Sequence, residues 1–197
     1  MKTKDYKIVL ASSSPRRIEI LKIHGFDPIV IHPSTDENIR EVNNPEDMVK
    51  ELAFRKAKSV EAAVIARFSH EPCIIIGADT VVFLDDIIGK PKDRADAYRI
   101  LHYLNGKEHY VATGVALLNT KTKAQKVFHE ITKVGFKSYP DDDICAYIDT
   151  AEPYDKAGGY AIQGGWGKNI AYISGDYNNV VGFPWDRIKY ELDEIIK

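Results

Sequence analysis

The run Cys73-Ile74-Ile75-Ile76 constrains this chain more than any other stretch. It is short and continuously apolar, which predicts a strand buried on both faces, the kind found in the middle of an α/β sheet. It ends in Gly77-Ala78-Asp79-Thr80. An acidic residue at the carboxyl end of a buried strand is costly unless it is paired or binds a metal. Ligands of open α/β sheets also tend to bind at strand carboxyl ends. Asp79 is therefore the first candidate for chemistry, with a simple turn cap as the competing reading.

The pattern on either side predicts alternating strands and helices. Tyr6–Leu10 reads as a strand entering the loop Ala11-Ser12-Ser13-Ser14-Pro15. A short helix follows over Arg16–His24, with Ser14 as N-cap, Pro15 at its first position and Gly25 at its end. Phe26–His32 reads as a second strand. Asn44-Pro45 opens a long helix to about Arg67, with Met48, Leu52, Ala53, Ala57, Val60 and Val64 on one face. Val81–Leu84 and Ile87-Ile88 flank an acidic turn as a hairpin. Helices are expected over Asp93–Leu104, Asp141–Asp149 and Pro184–Ile196, and strands over His109–Leu118, Lys126–Lys137 and Ile170–Ile173. Helices mixed with hairpins predict an α/β fold whose sheet is mixed rather than purely parallel.

A chain of 197 residues fits one domain over 1–197. The net charge of −2, from 27 basic and 29 acidic side chains, disfavours extended binding to DNA or RNA. A small anionic ligand remains compatible, because it needs only a local cluster of cations. Cys73 and Cys145 match no metal-ligand or redox spacing, so no disulfide framework is expected. No run approaches a membrane span and no apolar leader precedes the first strand, so the expectation is a cytoplasmic protein with no membrane partner.

Four loops carry candidate chemistry. In Ser12–Arg17, backbone N–H groups at a helix start combine with the guanidinium groups of Arg16 and Arg17 to make an anion site; an ordinary helix start is the alternative. Gly77–Thr80 holds Asp79. Gly89-Lys90-Pro91-Lys92 offers a lysine to a phosphate, although such turns are common. Asp155–Gly165 is dense in glycine, which permits close backbone approach to a ligand, and its Gln163 offers a donor and an acceptor to a base edge. Glu37 could join Asp79 as a second carboxylate for Mg²⁺, since that ion takes one or two carboxylates plus substrate phosphates. Lys56 either snorkels along the helix or points into a cleft. The six histidines form no ligand pair, and His109 reads as a structural histidine.

Read together, these loops resemble the Maf family of nucleotide pyrophosphatases. The resemblance rests on Ala11-Ser12-Ser13-Ser14-Pro15-Arg16-Arg17, Gly77-Ala78-Asp79-Thr80-Val81-Val82, Gly89-Lys90-Pro91, His109-x-Val111-x-Thr113-Gly114, Asp155–Gly164 and Gly175-Asp176-Tyr177-x-Asn179-Val180-Val181-Gly182-x-Pro184, in the family's order across nearly the whole chain. It implies a fold like that of inosine-triphosphate pyrophosphatase, with a mixed sheet and flanking helices in two lobes around a cleft. It implies hydrolysis of a nucleoside triphosphate to the monophosphate and pyrophosphate with a divalent metal, Mg²⁺ or Mn²⁺, and a homodimer. Asp79 matches the family's acid-base aspartate, Glu37 with Asp79 its metal ligands, and Lys56 and Lys90 its phosphate lysines. Ser12, Arg16 and Arg17 fall to the substrate. Arg16, Thr80 and Gln163 resemble the branch acting on dTTP and UTP. Ala161 and Phe183 depart from the family's usual glycine and leucine, and Gly165-Trp166-Gly167 closes the loop differently. The alternatives are a nucleotide-binding regulator of cell division without turnover, a purine pyrophosphatase of the inosine-triphosphate type, and a phosphatase releasing orthophosphate.

Overall fold

The computed structural model describes residues 5–35, 44–69 and 71–197. The elements run β1 (Lys7–Ala11), α1 (Pro15–Ile23), β2 (Ile29–Val30), α2 (Pro45–Arg67), β3 (Cys73–Phe83), β4 (Ile87–Ile88), α3 (Arg94–Leu104), β5 (Glu108–Asn119), β6 (Gln125–Phe136), α4 (Asp141–Ile148), β7 (Ile170–Ser174), α5 (Tyr177–Val181) and α6 (Trp185–Ile195). The strands are ordered β2-β1-β3-β5-β6-β7, with β4 paired to β3. β1 lies parallel to β2 and β3, whereas β3–β4 and β6–β7 are antiparallel. The mixed α/β sheet is thus the one expected. No described helix is long and apolar enough to cross a membrane.

The chain divides into two compact units. The first holds Met1–Asp79, Thr113–Glu130 and Gly182–Lys197; the second holds Thr80–Ala112 and Ile131–Val181. The chain passes from one to the other inside β3, β5 and β6 and once more between Val181 and Gly182.

In the first unit, α2 begins where Asn44-Pro45 predicts. The Asn44 side chain accepts from the Asp47 N–H at 2.7 Å, and Pro45 occupies a first-turn position that has no N–H partner in any case. Its buried face is Val49, Leu52, Ala53, Lys56, Ala57, Val60 and Val64, so Val49 and not Met48 points inward. This face packs on Val9, Ala11, Cys73, Ile75, Ala116 and Leu118. The packing is close because the facing residues are small. A Cβ on Gly77 would lie 2.2 Å from the Ala53 carbonyl oxygen, and one on Gly114 would lie 2.2 Å from that of Val49. Both cysteines are free thiols, and burial pushes the Cys73 thiol above its usual range.

Two expectations are corrected here. The second strand is only Ile29–Val30, not Phe26–His32. Its ladder partner β1 pairs only at Val9 and Leu10, and Pro28 has no N–H to extend the pairing. Ser14 stands at the N-cap of α1, but its hydroxyl makes no capping bond. Ser12 instead forms a turn just ahead of the helix, its hydroxyl oxygen accepting the Ser14 N–H at 3.1 Å.

The second unit encloses an aromatic core. Phe136 meets His109, Tyr139, Tyr160 and Trp166 edge-on, at centroid distances of 4.6, 6.0, 4.9 and 6.4 Å. Such edge-to-face contacts add to the burial of the rings. The short helix α5, absent from the sequence expectation, is anchored by Asn179. Its buried amide donates to the Val111 carbonyl and to Thr132 Oγ1, both at 3.0 Å.

Candidate active site

Asp79 is not at the end of its strand, as expected, but inside it. β3 continues to Phe83 without a break at Gly77. The functional logic survives because β1 does end there. The parallel register sets Ala11 opposite Gly77, so the loop after β1 leaves the sheet beside Ala78 and Asp79.

Side chains alternate along a strand, so Asp79 shares its face with Gly77, the face that packs on α2. The missing side chain at Gly77 lets α2 come close enough for Lys56 to meet Asp79. The Lys56 Nζ lies 2.5 Å from Asp79 Oδ1, and the two side chains are only 11% and 13% exposed. Lys56 therefore points inward to a carboxylate and does not snorkel. A pair so shielded from water is held far more firmly than a surface ion pair.

Arg17 reaches the same place from α1. Its Nε donates to the Gly182 carbonyl at 2.9 Å, and its Nη1 donates to the Ala78 carbonyl at 2.7 Å and to Ser12 Oγ at 3.2 Å. Ser12 is buried. Arg16 is half-buried, and its Nε is buried with no hydrogen-bond partner among the described residues. The first unit thus brings together Ser12, Arg17, Lys56 and Asp79. Glu37 lies outside the described residues. Among the described residues, no group of three His, Cys, Asp or Glu side chains could hold a metal by itself. A single carboxylate suits a divalent ion that brings phosphate oxygens with it, rather than one caged by protein alone.

The second unit gathers the other candidates. Thr80 continues β3 and is half-buried. The turn at Gly89-Lys90-Pro91 is tied to the glycine-rich segment by a bond from the Gly158 N–H to the Gly89 carbonyl at 3.0 Å. Gly158 has φ +73°, a left-handed conformation that other residues adopt only with strain, and a Cβ there would sit 2.9 Å from Val82 Cγ2. The segment is therefore pinned rather than a loose loop. Lys90 and Gln163 are both exposed.

Beneath this segment Tyr160 and His109 are buried, with the Tyr160 hydroxyl 2.7 Å from His109 Nε2. His109 Nδ1 has no partner among the described residues, so the structural reading of His109 holds with one nitrogen unmet. Burial pushes the imidazole down to about 4 and raises the Tyr160 hydroxyl. The sign of the consequence is set by the unfolded chain, in which the imidazole takes its proton near 6.5. Between pH 6.5 and 4 the unfolded state binds more protons, so stability falls as pH falls through that window and levels off below it. The loss amounts to about 3 kcal/mol. In urea unfolding at pH 7 and pH 4, His109→Gln should shrink the stability difference by about that much. An unchanged difference would rule out a buried neutral His109 as the cause.

Arg17 was legible in the sequence as a candidate, but its acceptors were not. Gly182 is 165 positions away, and no periodicity or spacing joins the two.

A family model described as "Maf-like protein" matches residues 7–195. The chain is 47% identical to the dTTP/UTP pyrophosphatase of Acetivibrio thermocellus over 183 residues, 92% of each protein. It is 45% identical to that of a Thermoanaerobacter species over 95% of this chain and 97% of the relative. The dTTP/UTP pyrophosphatase of a Geobacillus species is 43% identical over 96% and 98%. Among solved structures, the Staphylococcus aureus Ham1 protein is similar at 18% identity with a TM-score of 0.43, over 66% of this chain and 71% of that one. That likeness is slight, and the fold assignment rests on the strands and helices themselves.

Proposed function

The chain belongs to the Maf family, and on that premise we propose that it hydrolyses dTTP and UTP to the monophosphate and pyrophosphate. Residues 1–197 act as one catalytic domain in this reading. The observation that carries it is the shielded Lys56–Asp79 pair beside the start of α1. A carboxylate and a cation held together where an anion can dock are what in-line attack on a phosphate needs.

The Asp79 carboxylate orients a water molecule and accepts its proton as the water oxygen attacks the α-phosphorus. The bond from that phosphorus to the bridging oxygen breaks, and its electron pair leaves with pyrophosphate. Lys56, Arg16 and Lys90 supply positive charge to the phosphoryl oxygens, where negative charge concentrates in the transition state. The Nε of Arg16, buried and without a partner among the described residues, supports its part. Asp79, with Glu37, would hold a divalent metal together with phosphate oxygens, and such an ion supplies further charge neutralisation there. Thr80 and Gln163 select the pyrimidine by hydrogen bonds to its edge. Free thiols support a reducing, cytoplasmic setting.

A panel of UTP, dTTP, ITP and GTP, with and without EDTA and with product identification, tests the reading. UTP and dTTP should release pyrophosphate and stop doing so in EDTA. Preference for ITP, orthophosphate as product, or binding without turnover would each replace the proposal with the corresponding alternative.

A further inference from the structure

Resting on the reading of Asp79 as the catalytic base, we infer that Arg17 is a positioning residue for Asp79 and not a ligand of the substrate's phosphates. Arg16 and Arg17 are adjacent and chemically identical, yet the fold treats them differently. The buried Nε of Arg16 has no partner among the described residues. Arg17 directs its Nε and Nη1 to protein acceptors: the carbonyls of Gly182 and Ala78 and the hydroxyl oxygen of Ser12.

The Ala78 bond matters most. At 2.7 Å it is a short, charge-assisted bond, and its acceptor is the carbonyl of the peptide whose N–H belongs to Asp79. A peptide is planar, so fixing its carbonyl fixes the plane from which the Asp79 side chain departs. Ser12 completes the frame. Its oxygen accepts from Arg17 and from the Ser14 N–H at 3.1 Å, which ties the β1–α1 loop to the same guanidinium. One rigid fork thus joins the loop after β1, the residue before Asp79 and the segment before α6. Lys56 fixes the carboxylate of Asp79 from the other direction.

The fork, not the charge, does this task. A lysine keeps the charge but cannot span acceptors in three segments. Arg17→Lys therefore separates the two roles. Steady-state UTP hydrolysis by Arg17→Lys and Arg17→Ala, beside the wild type, should show kcat about 100-fold lower in both with KM within about threefold of the wild type, since loss of near-attack geometry falls on the chemical step. In the Asp79→Asn background, where turnover is slowed about a thousandfold, adding Arg17→Lys should leave UTP affinity within about threefold by calorimetry. A thermal melt identifies a variant that fails to fold, and the lysine variant then decides. A tenfold rise in KM, an equal loss of UTP affinity, or full activity in Arg17→Lys would overturn the inference and return Arg17 to the phosphate site. Absence of turnover by the wild type itself would overturn the reading of the site, and the inference with it.

Discussion

Asp79→Asn should release pyrophosphate from UTP about a thousand times more slowly than the wild type while keeping the fold. The amide matches the carboxylate in shape, so the packing of β3 against α2 loses no volume. What it loses is the ability to take a proton from water, a contribution that general bases make at about 10²- to 10⁴-fold. It also removes the negative partner of Lys56, whose Nζ now lies 2.5 Å from Asp79 Oδ1. A pyrophosphate-release assay on the purified variant gives the rate, and far-UV circular dichroism verifies the fold. Turnover within tenfold of the wild type would remove Asp79 from the centre of the chemistry.

Gly77→Ala is the second large effect. The added methyl carbon would lie 2.2 Å from the Ala53 carbonyl oxygen and 2.8 Å from the Ala57 nitrogen. Both are backbone atoms of α2, so no side-chain rotation relieves the overlap. β3 and α2 must separate, and we expect a loss of about 3 kcal/mol, at the upper end for overpacking. The same separation lengthens the Lys56–Asp79 contact, so kcat should fall about 100-fold as well. Gly89→Ala is the control, because nothing lies within 4 Å of a Cβ there; its stability should stay within about 0.5 kcal/mol of the wild type. Urea midpoints and kcat for the two variants test this. Equal stability of the two alanine variants would refute the close-approach explanation.

These two residues also mark what the sequence disclosed. Asp79 stood out because an acid following Cys73–Ile76 has few cheap environments. Gly77 misled, because a glycine after an apolar run reads as a stop, whereas here it is a strand position emptied of its side chain so that a helix can approach. That error ended the strand too early, and it hid the reason Lys56 turns inward. Alone, a lysine on an apolar helix face favours snorkelling, and only the spacing between α2 and β3 decides otherwise. The boundaries of α2 were legible because Asn44 and Pro45 are local signals of a helix start. α5 was not, since Tyr177–Val181 is too short to show a helical period and is held by the distant Val111 and Thr132. The sequence named the arginines of the first loop but not the division of labour between them, which depends on carbonyls in remote segments.

The line between the two compact units falls at the peptide joining Asp79 to Thr80, and it is crossed again within β5, within β6 and between Val181 and Gly182. One unit is consequently stitched from three stretches of chain and the other from two. Recombination moves contiguous stretches of a gene, so neither unit can be inherited or grafted as a block. In the proposed reading the proton acceptor Asp79 and the base-selecting Thr80 share that peptide bond, so the two travel together in recombination. A change at Thr80 would then arise within its own codon, with Asp79 kept beside it, whereas Gln163 lies on a separate stretch of chain.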